Sequence, residues 1–396
     1  MKKKIGLFLV STPNDGGTFQ HARSVLEALE ALPPASYDVV VGYESGSWAE
    51  HLRRHKVRVF HVVPGFFSRA IRSAWRMLRL PVGLLRIIAP YFHPSIKAMV
   101  KEGCALWVFP SEDPYSFYAS VPSLTTMLDL MHRYERQFPE VSANGMYEVR
   151  EYYGKNVAAW TKGVLVDSEL GRRMASESYG IPMERIFALP CIPPHYIYAD
   201  HVPADFEAKY ALPKKYLFYP AQFWMHKNHP RLIRSVAEVR KAFPDVALVL
   251  AGAKKNGYDE AERLVKEMGL ERSVLFLGYV PDEYMAELYR RARALVMPTF
   301  FGPTNIPQLE AFHLGCPVAT SNIYGIPHQV GDAALLFNPN SVDEIADCIR
   351  RLWSDDELCR VLIERGKKKS AEWGQAQFNA VFREILDTVL ARIENE

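Results

Sequence analysis

The chain has 396 residues, with 48 Lys and Arg against 45 Asp and Glu and a formal net charge of +3. That length gives room for two domains with ample core, and the near balance of charge offers no electrostatic case for a nucleic-acid partner. The five cysteines, Cys104, Cys191, Cys316, Cys348 and Cys359, are scattered without a Cys-x-x-Cys pair, which reads as a reduced, cytosolic chain.

Met1 to Lys4 is basic and Ile5 to Val10 is apolar. The apolar run is too short for a signal peptide and reads as a first strand, apolar throughout as in a parallel sheet covered on both faces. No uninterrupted apolar segment is long enough to span a bilayer. A turn follows with Gly16 and Gly17, where the backbone is able to approach a ligand closely; a plain strand-to-helix turn is the alternative. A helical pattern then runs through Val25, Leu26 and Leu29. Further strands are expected at Asp38–Tyr43, Val57–Val62, Ala105–Phe109, Ser123–Asp129 and Gly163–Asp167, with helical stretches between them. Strands alternating with helices predict a doubly wound α/β domain.

Residues 51–101 contain eleven Lys and Arg and no Asp or Glu. On a helical wheel Arg69, Arg72, Arg76 and Arg79 share one face, and Ile71, Ala74, Trp75 and Leu78 share the other. Phe66, Phe67 and the run Leu84–Ile88 flank them. A basic helix with an aromatic and aliphatic face is the pattern of an interfacial membrane binder; an ordinary helix with solvated arginines is the alternative. Asp129 and His132 stand at the end of a strand, where open α/β sheets take ligands. Both are candidates for orienting an acceptor, although a structural imidazole is the simpler reading of a lone His. Ser168 reads as a helix N-cap.

Pro193 to Pro213 is rich in turn residues and reads as a linker. A second α/β series follows, at Tyr216–Tyr219, Val246–Ala251, Val274–Leu277, Ala294–Met297, Pro317–Thr320 and Ala334–Phe337. The expected organisation is a first domain over 1–195, a linker over 196–213, a second domain over 214–374, and a final helical segment over 375–396 that crosses back to the first domain. Two loops of the second domain carry chemistry. The first, Pro220 to His229, holds Gln222, Lys227 and Asn228; a lysine there is able to neutralise a diphosphate as a point charge. The second, Gly302-Pro303-Thr304-Asn305-Ile306, leaves a buried strand and opens a helix, with Pro307 in its first turn. The N–H groups of such a helix start favour a phosphate, and Glu310, one turn in, is placed to accept hydrogen bonds from sugar hydroxyls.

Tyr219 to His229, Gly278-Tyr279-Val280-Pro281 and Gly302 to Thr320, in this order and spacing, resemble glycosyltransferase family 4. The resemblance implies the GT-B fold, two Rossmann-like domains facing across a cleft. It implies transfer of a hexose-type sugar from a nucleotide-diphosphate donor, UDP- or GDP-linked, with retention and without a metal or other cofactor. Lys227 would contact the donor diphosphate, Glu310 the ribose, and Pro303 to Ile306 the phosphate and sugar. Gly16, Gly17, Gln222, Asn228, Gly278 and Tyr279 complete the expected donor set. Three departures stand out. Gly302 occupies the place of the first of two glutamates, Ala221 and Gln222 stand where an arginine is usual, and Leu128 replaces a histidine. Gly302 to Asn305 resembles a branch that lacks the first glutamate, and Asn305 or backbone amides are expected to take over its sugar contact.

The acid-free stretch adds an expected location, peripheral at the inner face of the membrane, and an expected acceptor, a lipid-linked or envelope glycan. Two other classes are compatible with the same residues: an epimerase or phosphorylase of this fold, and a non-catalytic subunit that binds nucleotide sugar.

Overall fold

The computed structural model describes residues 2–198 and 201–396, apart from the side chains of Arg69 and Arg72. The chain divides into two compact units. The first comprises Met1–Leu130, Tyr147–Pro190 and Gln375–Glu396; the second comprises Met131–Met146 and Cys191–Gly374.

The first unit is built on a parallel sheet of seven strands: β1 (Lys3–Leu9), β2 (Tyr37–Tyr43), β3 (Arg58–His61), β4 (Leu106–Phe109), β5 (Ser123–Thr126), β6 (Gly163–Val166) and β7 (Ile186–Ala188), in the order β3-β2-β1-β4-β5-β6-β7. The central strands β4, β5 and β6 are buried along their whole length, which is why they read as unbroken apolar or small-residue runs rather than alternating ones. The edge strand β7 was not expected from the sequence: three residues are too few to show a period. Order reverses between β1 and β4, so the carboxyl ends of these two strands flank a topological switch point.

The second unit has a parallel six-stranded sheet: β8 (Leu217–Pro220), β9 (Leu248–Ala251), β10 (Val274–Gly278), β11 (Ala294–Met297), β12 (Val318–Ser321) and β13 (Ala334–Phe337), in the order β10-β9-β8-β11-β12-β13. Its switch point lies between β8 and β11. Two doubly wound α/β units are thus present, as the alternation of elements predicts.

The division of the chain departs from a simple cut at the linker in two places. Met131–Met146 precedes β6 in sequence yet belongs to the second unit. Phe138, 8% exposed, lies against the rings of Phe300 and His226 there, at 5.4 and 6.1 Å between centroids. The expected linker is no loose tether either. Phe206 and Tyr210 are buried in the core of the second unit, with their rings packed against Tyr284, tilted and edge-on respectively. The final helix, Gln375–Asn395, belongs to the first unit. It buries Phe378, Phe382, Leu386, Val389 and Leu390, and Phe378 meets His21 of the helix Gly17–Glu30 edge to face.

In the acid-free stretch β3 is followed by the helices Phe66–Met77 and Val82–Phe92 and by most of the helix Pro94–Glu102. Arg79 lies beyond the first, at φ 51°, so it does not share that helix face as the wheel had it; Arg76 is on the helix and exposed. The expected positions of the Arg69 and Arg72 side chains fall outside the described residues. The apolar side of the first helix is not core, while the second buries Val82, Leu85 and Ala89 and leaves other apolar residues out. Phe66 and Phe67 are 81% and 80% exposed, and Ile71, Met77, Leu78, Leu84, Ile87 and Tyr91 are exposed as well. Trp75 differs: it is half-buried and its indole donates to the Pro81 carbonyl at 3.1 Å, which turns it back on its own chain. Arg86 is also held inward, donating to the Phe117 carbonyl at 2.6 Å.

Candidate functional site

The second sheet brings the expected lysine loop and the Gly302–Ile306 loop together, because β8 and β11 are neighbours and both loops leave their carboxyl ends. The contact is direct. The Phe300 amide donates to the His226 carbonyl at 2.7 Å, and the Asn228 side-chain amide donates to the carbonyls of Pro298 and Pro339 at 2.9 and 2.8 Å. Asn228 is 2% exposed and left-handed at φ 60°. Its side-chain amide clamps the two loops together.

Lys227 ends a short turn, Met225–Lys227. Its amide donates to the Trp224 carbonyl, and its carbonyl accepts from the Tyr219 hydroxyl at 3.0 Å. The backbone that carries the ammonium is therefore held at both ends. Gln222 accepts from the Trp224 indole at 3.0 Å. On the other side of the switch point, the helix Ile306–Leu314 begins with Asn305 as N-cap and Pro307 in its first turn, and Asn305 makes no side-chain cap bond. Its backbone is instead tied to Gln329 by two bonds of 2.9 Å. The first-turn N–H groups are left without a side-chain cap, the condition in which a helix start attracts an anion. Pro303 is buried; Thr304 and Ile306 are half-buried.

Gly278 closes β10 with φ 69° and passes its carbonyl to the Gly252 amide at 2.7 Å. Tyr279, next in the chain, is 57% exposed, at the same carboxyl edge of the sheet. Gly16 and Gly17 belong to the first unit. They follow β1 in the first unit, at the junction of a short turn, Pro13–Asp15, and the helix Gly17–Glu30, with Gly16 at φ 56°.

Glu310 is 3% exposed, and both its carboxylate oxygens accept hydrogen bonds from tyrosine hydroxyls, Tyr196 and Tyr289. Burial pushes its carboxyl up to about 7, against the opposing effect of the two tyrosine bonds. The residue expected to offer an open carboxylate thus has its oxygens taken by the protein. Tyr196 comes from the segment read as linker, and nothing in its own sequence marked it as a partner.

Asp129 and His132 fall in different units. His132 is buried, on a short helix, Met131–Tyr134. Asp129 pairs with Arg150 at 2.7 Å. Beside Asp129 is a residue that the sequence reading missed. Glu112 follows β4, accepts from the Leu128 amide at 3.1 Å, and has its carboxyl raised by burial and then by the Asp129 charge, with Arg150 opposing. Two carboxylates sharing one guanidinium behave in this way. The signal was present: Ser111-Glu112-Asp113 ends an apolar strand at the switch point of the first sheet.

Residues 204–369 match the model of glycosyl transferases group 1. Over 268 residues the chain is 29% identical to the O-antigen chain mannosyltransferase B of Escherichia coli, covering 62% of this chain and 68% of that one. It is 25% identical to the serotype-specific mannosyltransferase WbdA of the same species over 57% of this chain, while spanning only 29% of WbdA. In fold it is similar to Anabaena HepE, solved with UDP and glucose, at a TM-score of 0.73 over 98% of this chain and 100% of that one, with 17% identity. With the group 1 match confined to the second unit and the fold shared over the whole chain, the protein is a glycosyltransferase of the GT-B fold.

Proposed function

We propose that the enzyme transfers a hexose from a UDP- or GDP-linked donor to a growing lipid-linked or envelope glycan, with retention at the anomeric carbon and without a metal or other cofactor, as in the Gly-Pro-Thr-Asn branch of glycosyltransferase family 4. The observation that carries this reading is the junction of the Lys227 turn with the uncapped start of the helix Ile306–Leu314 across one switch point. Cleavage of a sugar–phosphate bond through an oxocarbenium-like state needs stabilisation of the departing diphosphate more than a protein nucleophile. A fixed ammonium and oriented amides supply it. The leaving phosphate itself takes the acceptor proton. The similarity to O-antigen mannosyltransferases favours a mannose-type sugar and a surface polysaccharide, and HepE was solved with UDP.

Glu310 reaches the ribose in this reading only when Tyr196 gives way, so a ribose hydroxyl replaces a tyrosine hydroxyl on the same carboxylate. Asp129, with Glu112 beside it, orients the acceptor from the carboxyl edge of the first sheet. Asn305 and the loop amides take the sugar contact that a glutamate at position 302 would make.

The location we propose is the inner face of an anionic membrane. Residues 51–101 carry no acid and eleven basic residues, and two consecutive helices there expose Phe66, Phe67, Met77, Leu78, Leu84, Ile87 and Tyr91. No helix among the described residues is long and apolar enough to cross a membrane. Basic groups near an anionic leaflet contribute about 1 kcal/mol each, and the exposed rings enter the interface.

The test is thermal scanning with UDP, GDP, ADP and dTDP and their sugar conjugates, followed by turnover of the stabilising donor. A ligand at 100 times its Kd adds about 2.7 kcal/mol of stability. Stabilisation by a sugar nucleotide with no transfer to any glycan would point to the non-catalytic reading; loss of donor without acceptor would point to an epimerase or phosphorylase.

A further inference from the structure

The turn that carries Lys227 is gripped by a carboxylate from a distant part of the chain. Glu140 lies in Met131–Met146, between β5 and β6 in sequence, but within the second unit. Its side chain is 5% exposed. One oxygen accepts from the His226 amide at 3.0 Å and from the His226 ring Nδ1 at 2.7 Å. The other accepts from the Asn256 side chain at 2.9 Å, and Asn256 in turn accepts from the Met225 amide at 3.1 Å. Two successive amides of the turn Met225–Lys227 are thus tied to one carboxylate, the first through Asn256 and the second directly. Burial alone raises a carboxyl; here the bonds from His226 and Asn256 overcome it and hold Glu140 down at about 2. Phe138, two residues earlier, packs on the His226 and Phe300 rings, so the segment touches both loops of the switch point. Glu135 of the same segment accepts from the Tyr324 hydroxyl.

We infer that Glu140 is a positioning residue for donor binding: it sets the Met225–Lys227 turn so that Lys227 meets the donor diphosphate. This rests on the donor reading of Lys227. It places a donor function on a residue that sequence order would assign to the acceptor domain. A buried carboxylate accepting three bonds leaves no slack in the turn, and misplacement of a binding group by about 1 Å is costly.

The experiment measures Kd for UDP and GDP by calorimetry, and donor KM and kcat, in wild type, Glu140→Ala, Glu140→Gln, Lys227→Ala and the double variant Glu140→Ala/Lys227→Ala. Glu140→Ala is expected to weaken nucleotide binding, raise donor KM tenfold or more and lower kcat in the same sense as Lys227→Ala, because Lys227 acts on the departing diphosphate. Glu140→Gln keeps an acceptor for the His226 amide and recovers part of the loss. In the double variant the losses do not add, because Glu140 acts through Lys227. Wild-type Kd in Glu140→Ala alongside weakened binding in Lys227→Ala overturns this inference alone, as does strict additivity. Wild-type binding in Lys227→Ala, or no binding of either nucleotide by wild type, overturns the donor reading and this inference with it. A lowered melting temperature in Glu140→Ala with Kd unchanged shows a purely structural role and also overturns it.

Discussion

Gly302 and Asn305 exclude each other's larger alternatives. A Cβ atom built on Gly302 would lie 2.3 Å from the side-chain nitrogen of Asn305, and Gly302 has φ 147°. The Asn305 nitrogen is buried and finds no hydrogen-bond partner among the described residues. Glycine at 302 and asparagine at 305 are therefore one structural choice, since the amide occupies the space that a side chain at 302 would need.

Placing a glutamate at 302 tests this coupling. Gly302→Glu is expected to lose about 1–3 kcal/mol, combining an unfavourable backbone conformation with an overpacked contact. Adding Asn305→Gly relieves the contact but not the backbone, so the double variant recovers part of the loss. Thermal melting of the three proteins checks it; wild-type stability in Gly302→Glu would show that the loop accommodates a side chain freely.

Glu310 predicts a pH dependence of stability. Its carboxyl is raised from 4.5 to about 7 in the folded protein. Between these values the native state binds a proton that the unfolded chain releases, so this group's contribution favours folding at low pH and is lost as pH rises through 7. The full difference is roughly 3 kcal/mol. Glu310→Gln removes the titration, so denaturant midpoints measured from pH 5 to 8 should show a flatter slope than wild type. If the variant keeps its fold, donor KM is expected to rise and kcat to change little; Glu310→Ala is expected to be worse in both fold and binding.

His21 works in the opposite sense. It is buried against Phe378, neither ring nitrogen finds a partner among the described residues, and burial lowers it from 6.5 to about 4. Below pH 6.5 the unfolded chain takes up a proton that the folded ring refuses. Stability from this residue is therefore present above 6.5 and falls as pH drops towards 4, by about 2 kcal/mol at pH 5. His21→Leu should blunt the loss of stability between pH 7 and pH 5, read as the shift in denaturant midpoint between those two values.

Membrane docking, if it rests on the exposed ridge, depends on Phe66 and Phe67 and not on Trp75. Replacing both phenylalanines with Ser should weaken sedimentation with anionic vesicles by tenfold or more, since a buried phenylalanine is worth about 1.5–3 kcal/mol. Trp75→Phe should have little effect, because its indole is turned to the Pro81 carbonyl. Replacing Arg69, Arg72, Arg76 and Arg79 with Gln should release the protein as well. Attraction to headgroups is screened within about 8 Å at physiological ionic strength, so salt should weaken wild-type binding. Wild type that ignores anionic vesicles at low salt would make the ridge an ordinary surface and a soluble acceptor the better reading.

The strands were legible because parallel strands covered on both faces write continuous apolar runs, as at Leu217–Tyr219 or Ala294–Met297. The loops of the second sheet were legible because Gly, Pro, Asn and Lys stand at strand ends in order. What sequence did not show is contact at a distance. Tyr196 and Tyr289 on Glu310, Glu140 under the lysine turn, and Glu112 beside Asp129 are ordinary residue types whose meaning comes only from partners far along the chain. The clamp made by Asn228 was hidden for the same reason: its targets, Pro298 and Pro339, lie well over fifty residues away. The wheel over residues 69–79 failed locally, since the helix stops at Met77.

The final helix has a consequence for how the protein is made. The first unit begins at the amino terminus but is closed by Gln375–Glu396, whose phenylalanines and leucines cover its helix Gly17–Glu30. During synthesis the first strands leave the ribosome long before that cover exists, whereas from Cys191 onward the second unit is continuous to Gly374 and needs only the earlier Met131–Met146 segment. The second unit is thus able to mature while the chain is still growing. The first keeps an apolar face open until residues 375–396 have been made, and a chain cut a few turns before Asn395 would leave the first unit, not the second, exposed to proteases and chaperones.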